Sequence, residues 1–232
     1  MSKYKILFIH IPKTGGTTIG NIFHPHLQIK NNPDKKYSNF ILNGSVDVEH
    51  DYYRNYAKLN DLSDYFVFTF VRNPYSRLFS LWRQCCDEYN HTNGQIKKII
   101  SCDIEKTETI KYCTDRESKS MFNNFIETLQ KEKKQLHLLG NTQYSMIKKS
   151  EANFIGKFET FDRDLRTVID LANNFISKRE NRNKEIFQYK AIHTNKRSKN
   201  LEEYLNFYSQ NSINIVNNLY HNDFNEFSYL KK

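Results

Sequence analysis

Between His10 and Thr18 the chain reads HIPKTGGTT, directly after the apolar run Ile6-Leu7-Phe8-Ile9. The protein has seven glycines, and Gly15, Gly16 and Gly20 fall close together here. Glycines let a backbone curl so that successive N–H groups point inward, and a helix starting just beyond adds partial positive charge. Lys13 supplies a full charge, and Thr17 and Thr18 supply hydroxyl donors. Strand, glycine-rich turn and helix in that order predict a phosphate-binding loop. An ordinary tight turn would account for Gly-Gly, but not for the lysine and threonines beside it. The order of residues excludes the common nucleoside-triphosphate loop, which reads G-x-x-x-x-G-K-[ST]. Here Lys13 precedes the glycines and no glycine lies upstream of it.

A second stretch with chemical potential is FTFVRNPYSRLFSLW, Phe68 to Trp82. It predicts a strand ending in Arg72, a Pro-Tyr turn and then a helix. Arginine at a strand end presents a charged fork, and Ser80 in the second helical turn can reach the same anion. Each of these residues taken singly reads as a surface charge or helix filler. Two anion-binding elements about fifty residues apart do not.

Together the two stretches resemble the nucleotide-binding elements of sulfotransferases that use 3′-phosphoadenosine 5′-phosphosulfate. HIPKTGGTT is similar to their 5′-phosphosulfate loop, in wording closest to the carbohydrate branch that includes the heparan sulfate 2-O-sulfotransferases. Arg72 to Ser80 resembles the 3′-phosphate element R-[DN]-P-x-x-R-x-x-S. The resemblance implies a P-loop-like fold and in-line transfer of a sulfuryl group to a hydroxyl or amine. It also implies that adenosine 3′,5′-bisphosphate is the product and that no metal is required. It places Lys13, Thr14, Gly15, Gly16, Thr17 and Thr18 on the 5′-phosphate, with Lys13 also stabilising the bridging oxygen as the leaving group departs. Arg72 and Ser80 fall on the 3′-phosphate, and Lys196 and Arg197 form a late wall over it.

A weaker likeness covers Asn141-Thr142-Gln143-Tyr144, Phe154–Phe161, His193–Ser198, Tyr204, Tyr208 and Tyr220–Phe227. Glu49-His50 stands where the family often has Gly-His. His50 is the residue expected to act as general base. It follows a predicted strand and precedes Arg72 by some twenty residues, and parallel strands gather their ends at one rim. A histidine is largely neutral near pH 7 and so able to accept a proton. His193 and Glu49 are the reserve candidates, and His10, at a strand end, is read as structural.

These residues need a scaffold, and the order of elements predicts one of α/β class. The expected fold is a single P-loop-like three-layer domain over 1–232, a central parallel sheet flanked by helices, with a polar insertion at 90–116. Continuous apolar runs predict buried strands at Tyr4–Ile9 and Tyr65–Val71. Further strands are expected at Phe40–Val46 and Asn153–Phe158. Helices are expected at Thr17–Phe23, Asp51–Leu59, from Pro74 onward, and at Ser118–Lys131, Asp162–Ile176, Leu201–Ser209 and Ser212–Tyr220. Leu78, Leu81, Trp82 and Cys85 recur at helical spacing. Lys178–Lys184 reads as a charged loop.

With 232 residues and 14% aromatic content the chain can bury a core. A formal charge of +9 and a pI near 9.2 favour anionic partners. An acidic glycan acceptor suits that charge. Nucleic acid is disfavoured, because no recognition signature is present and the basic residues are spread rather than striped. A nucleotide-dependent kinase would need a Walker lysine and an aspartate at a strand end, where this chain has Arg72. A catalytically inactive nucleotide binder is the remaining alternative. No run approaches the ~20 apolar residues of a membrane span, and no signal peptide is evident, so a cytoplasmic location is expected. Cys85, Cys86, Cys102 and Cys113 form no C-x-x-C pair and read as free thiols.

Overall fold

The protein is described by a computed structural model covering residues 4–23, 61–91, 115–131, 141–181, 185–189 and 203–232. The strand expected at Phe40–Val46, the helix at Asp51–Leu59 and most of the 90–116 insertion lie outside those residues. The chain divides into two compact units, Met1–Arg72 with Gln143–Asn195 and Asn73–Thr142 with Lys196–Lys232.

The first unit is built on three strands, β1 (Ile6–Ile9), β2 (Phe66–Val71) and β3 (Phe154–Lys157), in the order β1-β2-β3. All pairings are parallel, with Ile9 opposite Thr69 and Val71 opposite Lys157. Every residue of β1 and β2 is buried, the condition that produces unbroken apolar runs rather than alternation. Helix α1 (Gly16–Phe23) follows β1. Its residues Ile19, Ile22 and Phe23 join Ile6, Phe8, Phe66, Phe68 and Phe70 in one apolar cluster. The 20-residue helix over Phe161–Glu180 adds Leu165, Val168, Ile169, Ala172 and Ile176 to the same cluster. The fold is therefore α/β, a parallel sheet with helices packed on it.

In the second unit, α2 (Pro74–His91) begins with proline at its first helical position. The side chain of Asn73 accepts from Tyr75 N at 3.0 Å and its carbonyl accepts from Arg77 N at 2.9 Å, which closes the helix start. Leu78 and Leu81 are buried as the helical spacing requires, and they pack with Tyr75 and with Phe122, Phe125 and Ile126 of α3 (Asp115–Lys131). Asn90, His91, Asp115 and Arg116, assigned to the insertion from sequence, are helical.

The short α4 (Gln143–Met146) belongs to the first unit, and the long helix over Phe161–Glu180 is α5. It continues through Lys178-Arg179-Glu180, which the sequence reading gave to a loop. Basic residues in a last turn complement the partial negative charge of the helix end, and Asn181 closes it in a left-handed conformation with φ 49°. Where a helix is expected at Leu201–Ser209, the described residues form a 3-10 turn over Glu203–Phe207. Ser209 then caps α6 (Gln210–Leu219) by accepting from Ser212 N, and α7 (His221–Glu226) follows.

Candidate functional site

Parallel pairing puts the C-terminal ends of β1, β2 and β3 on one rim of the sheet. The segment leaving β1 at that rim is His10–Gly15. Its path is set by two residues in the left-handed region, Lys13 at φ 70° and Gly15 at φ 95°. Thr14 is fully buried, and its hydroxyl donates to the Ile11 carbonyl at 2.8 Å. That bond occupies the Thr14 side chain inside the loop. The Gly15 carbonyl accepts from Thr18 N at 3.0 Å and Ile19 N at 3.2 Å, so α1 begins immediately behind the loop. Thr17 is exposed and Thr18 half-buried. The first amides of a helix have no intrahelical acceptor, so this end of α1 is a natural anion-facing terminus.

Both loop glycines are dictated by packing. A Cβ on Gly15 would lie 2.4 Å from Cε2 of Phe161, besides facing the positive φ. A Cβ on Gly16 would lie 1.9 Å from Nε2 of His10. His10 is buried and its ring stacks on Phe8 with centroids 5.6 Å apart. His10 thus fills the space behind the loop, in keeping with the structural role read from its strand-end position.

Arg72 stands one residue past the end of β2. Its Nη1 donates to the Lys13 carbonyl at 3.3 Å, and its guanidinium lies over the Phe158 ring, 4.2 Å from the centroid. The rim therefore brings together Lys13 and Arg72, which the family resemblance assigns to the 5′- and 3′-phosphates of one nucleotide. Gln143 joins them: its Oε1 accepts from Arg72 N and its Nε2 donates to Arg72 O, both at 2.8 Å. Gln143 is fully buried. Gln143 and Phe158 fall in the stretches of weaker family likeness, where no sequence pattern assigns either a task. A lone amide whose partner lies 71 positions away leaves no pattern to read.

The turn from β3 into α5 is fixed by Asp164. Burial would raise the pKa of its carboxyl, but hydrogen bonds from Lys157 N, the Thr160 hydroxyl and Arg163 outweigh that and hold it below the usual value. This anchors the segment that carries Phe158 and Phe161.

Ser80, on α2 of the second unit, is half-buried. Arg77, one turn earlier, is buried, and its Nη1 donates to the Asn141 carbonyl at 3.0 Å. Burial lowers the Arg77 pKa against the opposing influence of Tyr220 and Asp223. His50, Glu49, His193, Lys196 and Arg197 lie outside the described residues. Among the described residues no group of three or more His, Cys, Asp or Glu stands together as a metal site, and no helix is long and apolar enough to cross a membrane.

Compared with known families, residues 1–230 match the model described as the sulfotransferase family. The chain belongs to the sulfotransferase family. Comparison with curated proteins and with solved structures finds no match. As a sulfotransferase, the protein moves a sulfuryl group from a sulfate donor to an acceptor.

Proposed function

We propose that the protein transfers a sulfuryl group from 3′-phosphoadenosine 5′-phosphosulfate to a hydroxyl or amine of an acidic glycan. The observation that carries this reading is the pairing of Lys13 and Arg72 on one rim, with Arg72 bonded to the Lys13 carbonyl. A non-glycine residue held at φ 70° costs about 1–3 kcal/mol, and such outliers cluster where a side chain must be aimed. Glycine stands two positions away, yet this position carries a lysine.

Such a donor brings the sulfuryl group on its 5′-phosphate; the S–O bond to the bridging oxygen breaks as the bond to the acceptor forms, leaving adenosine 3′,5′-bisphosphate. Lys13 meets the charge that grows on the bridging oxygen, a contribution larger in the transition state than in the ground state. The peptide groups of Thr14, Gly15 and Gly16, with Thr17 and Thr18 at the start of α1, hold the 5′-phosphate. Arg72 has five N–H donors, so its bond to Lys13 is compatible with a fork on the 3′-phosphate. Ser80, Lys196 and Arg197 complete the 3′-phosphate contacts on the strength of the sequence pattern. His50 accepts the proton of the acceptor. The match over 1–230 supports one sulfotransferase domain over 1–232 containing both compact units, with 90–116 a polar insertion.

A glycan acceptor is supported by the wording of HIPKTGGTT and by the formal charge of +9. The test is a mass-spectrometric screen of neutral and acidic oligosaccharides incubated with the protein and the donor. Gain of one sulfo group by acidic oligosaccharides is expected. Sulfation confined to small phenols or alcohols would overturn the glycan assignment.

A further inference from the structure

The β2–β3 ladder ends at the pair Val71 and Lys157. The next residue, Arg72, is in the connection to α2, where a side chain's direction is ordinarily loose. Here it is not left so. In an extended chain the N–H and C=O of one residue project to the same edge, and a primary amide carries one acceptor and a donor group in a single plane. Gln143 applies its amide to both groups of Arg72 at 2.8 Å, from a fully buried position. One side chain thereby pairs both backbone polar groups of Arg72. Beyond the backbone, the guanidinium is held between the Lys13 carbonyl and the Phe158 ring. The whole side chain is fixed from root to tip before any ligand arrives.

We propose that Gln143 is a positioning residue for nucleotide discrimination: its amide locks the backbone of Arg72 and so aims the guanidinium at the 3′-phosphate of the donor. The inference rests on the reading of Arg72 as the 3′-phosphate contact. Binding to a prearranged fork avoids the ordering cost that a loose arginine would incur. Gln143 therefore acts on the affinity gap between nucleotides with and without a 3′-phosphate, and not on affinity for the 5′-phosphate.

The experiment uses the full chain with two probes, adenosine 3′,5′-bisphosphate and 5′-AMP, measured by calorimetry. Gln143→Met keeps length and apolar volume but removes both hydrogen bonds. It should weaken the bisphosphate about tenfold or more while 5′-AMP changes by less than about twofold. In an Arg72→Ala background it should have no further effect on the bisphosphate. Equal losses for the two nucleotides, or an undiminished loss in the Arg72→Ala background, would overturn the proposal. Where Gln143→Met does not fold by circular dichroism, Gln143→Glu serves in its place, keeping the acceptor for Arg72 N and losing the donor to Arg72 O. A parent protein with no preference for the bisphosphate would remove the 3′-phosphate reading. The positioning itself is then judged by NMR of the labelled Arg72 Nε–H. That signal should be rigid in the parent and mobile in the variant, and an unchanged signal would refute it.

Discussion

Replacing Gly16 by alanine probes the packing that shapes the loop. The new Cβ would sit 1.9 Å from Nε2 of His10, 2.3 Å from Cδ2 and 2.5 Å from Cε1, so the whole ring stands in its way. His10 has little room to retreat, being 7% exposed and stacked on Phe8. Overpacking of this kind costs about 1–3 kcal/mol, and the poor mobility of the ring argues for the upper end. Alanine in place of glycine in a helix returns about 0.5–1 kcal/mol. The net expectation is a loss of about 2 kcal/mol, equivalent to a fall in Tm of roughly 4–8 °C for a chain of this size. Urea denaturation followed by circular dichroism measures it directly. The double mutant is the sharper test. With His10→Ala the obstructing ring is gone, so Gly16→Ala should become neutral or slightly stabilising, a coupling of about 2 kcal/mol or more between the two sites. The same loss from Gly16→Ala in both backgrounds would refute the account, because the penalty would then have nothing to do with His10.

Three further outcomes are expected. Lys13→Ala should lower kcat by about 10²-fold or more while bisphosphate affinity falls far less, since its charge matters most as the bridging oxygen becomes anionic; steady-state kinetics beside calorimetry separates the two effects, and a loss confined to affinity would make Lys13 a phosphate clamp only. The Asp164 carboxyl titrates below its ordinary value when folded, so its stabilisation is complete above the unfolded pKa of about 3.9 and disappears as pH falls through the folded value; Asp164→Asn should flatten the acid limb of denaturant midpoint against pH, and an unaltered limb would contradict that. His50→Ala should reduce turnover about 10²–10⁴-fold with nucleotide binding nearly unchanged, and the parent rate should fall as acidification protonates the base; a variant retaining more than about a tenth of parental turnover would remove His50 from the reaction.

The parts of the fold that were legible in the sequence share a physical reason. β1 and β2 are buried along their whole length, so their residues had to be apolar without interruption, and Pro74 marked the start of α2 by its missing N–H. The turn after β1 was legible because glycine readily takes the positive φ that a sharp turn out of a buried strand needs, and Gly15 sits at φ 95°. The errors arose where two structures serve one composition. Lys178-Arg179-Glu180 is charged because a helix C-terminus and solvent both accept charge, so polarity alone could not separate loop from last turn. Tyr204, Phe207 and Tyr208 carry a spacing that a 3-10 turn serves as well as an α-helix, and there Tyr208 N bonds Leu205 O at 3.1 Å. Thr14 was read only as part of the 5′-phosphate loop, and no sequence pattern shows that its hydroxyl donates to Ile11 O. The roles of Gln143 and Phe158 are purely tertiary. Each is defined by its contact with Arg72, and only the fold makes that contact.

The most direct test of the central claim compares adenosine 3′,5′-bisphosphate with 5′-AMP by calorimetry, in the parent protein and in Arg72→Ala, without added metal. A charge-assisted hydrogen bond contributes about 1.5–3 kcal/mol, so one or two contacts to the 3′-phosphate should favour the bisphosphate by a factor on the order of tens or more. The account predicts that preference in the parent and its near disappearance in Arg72→Ala, with 5′-AMP affinity little changed. Equal affinity of the parent for the two nucleotides would contradict it.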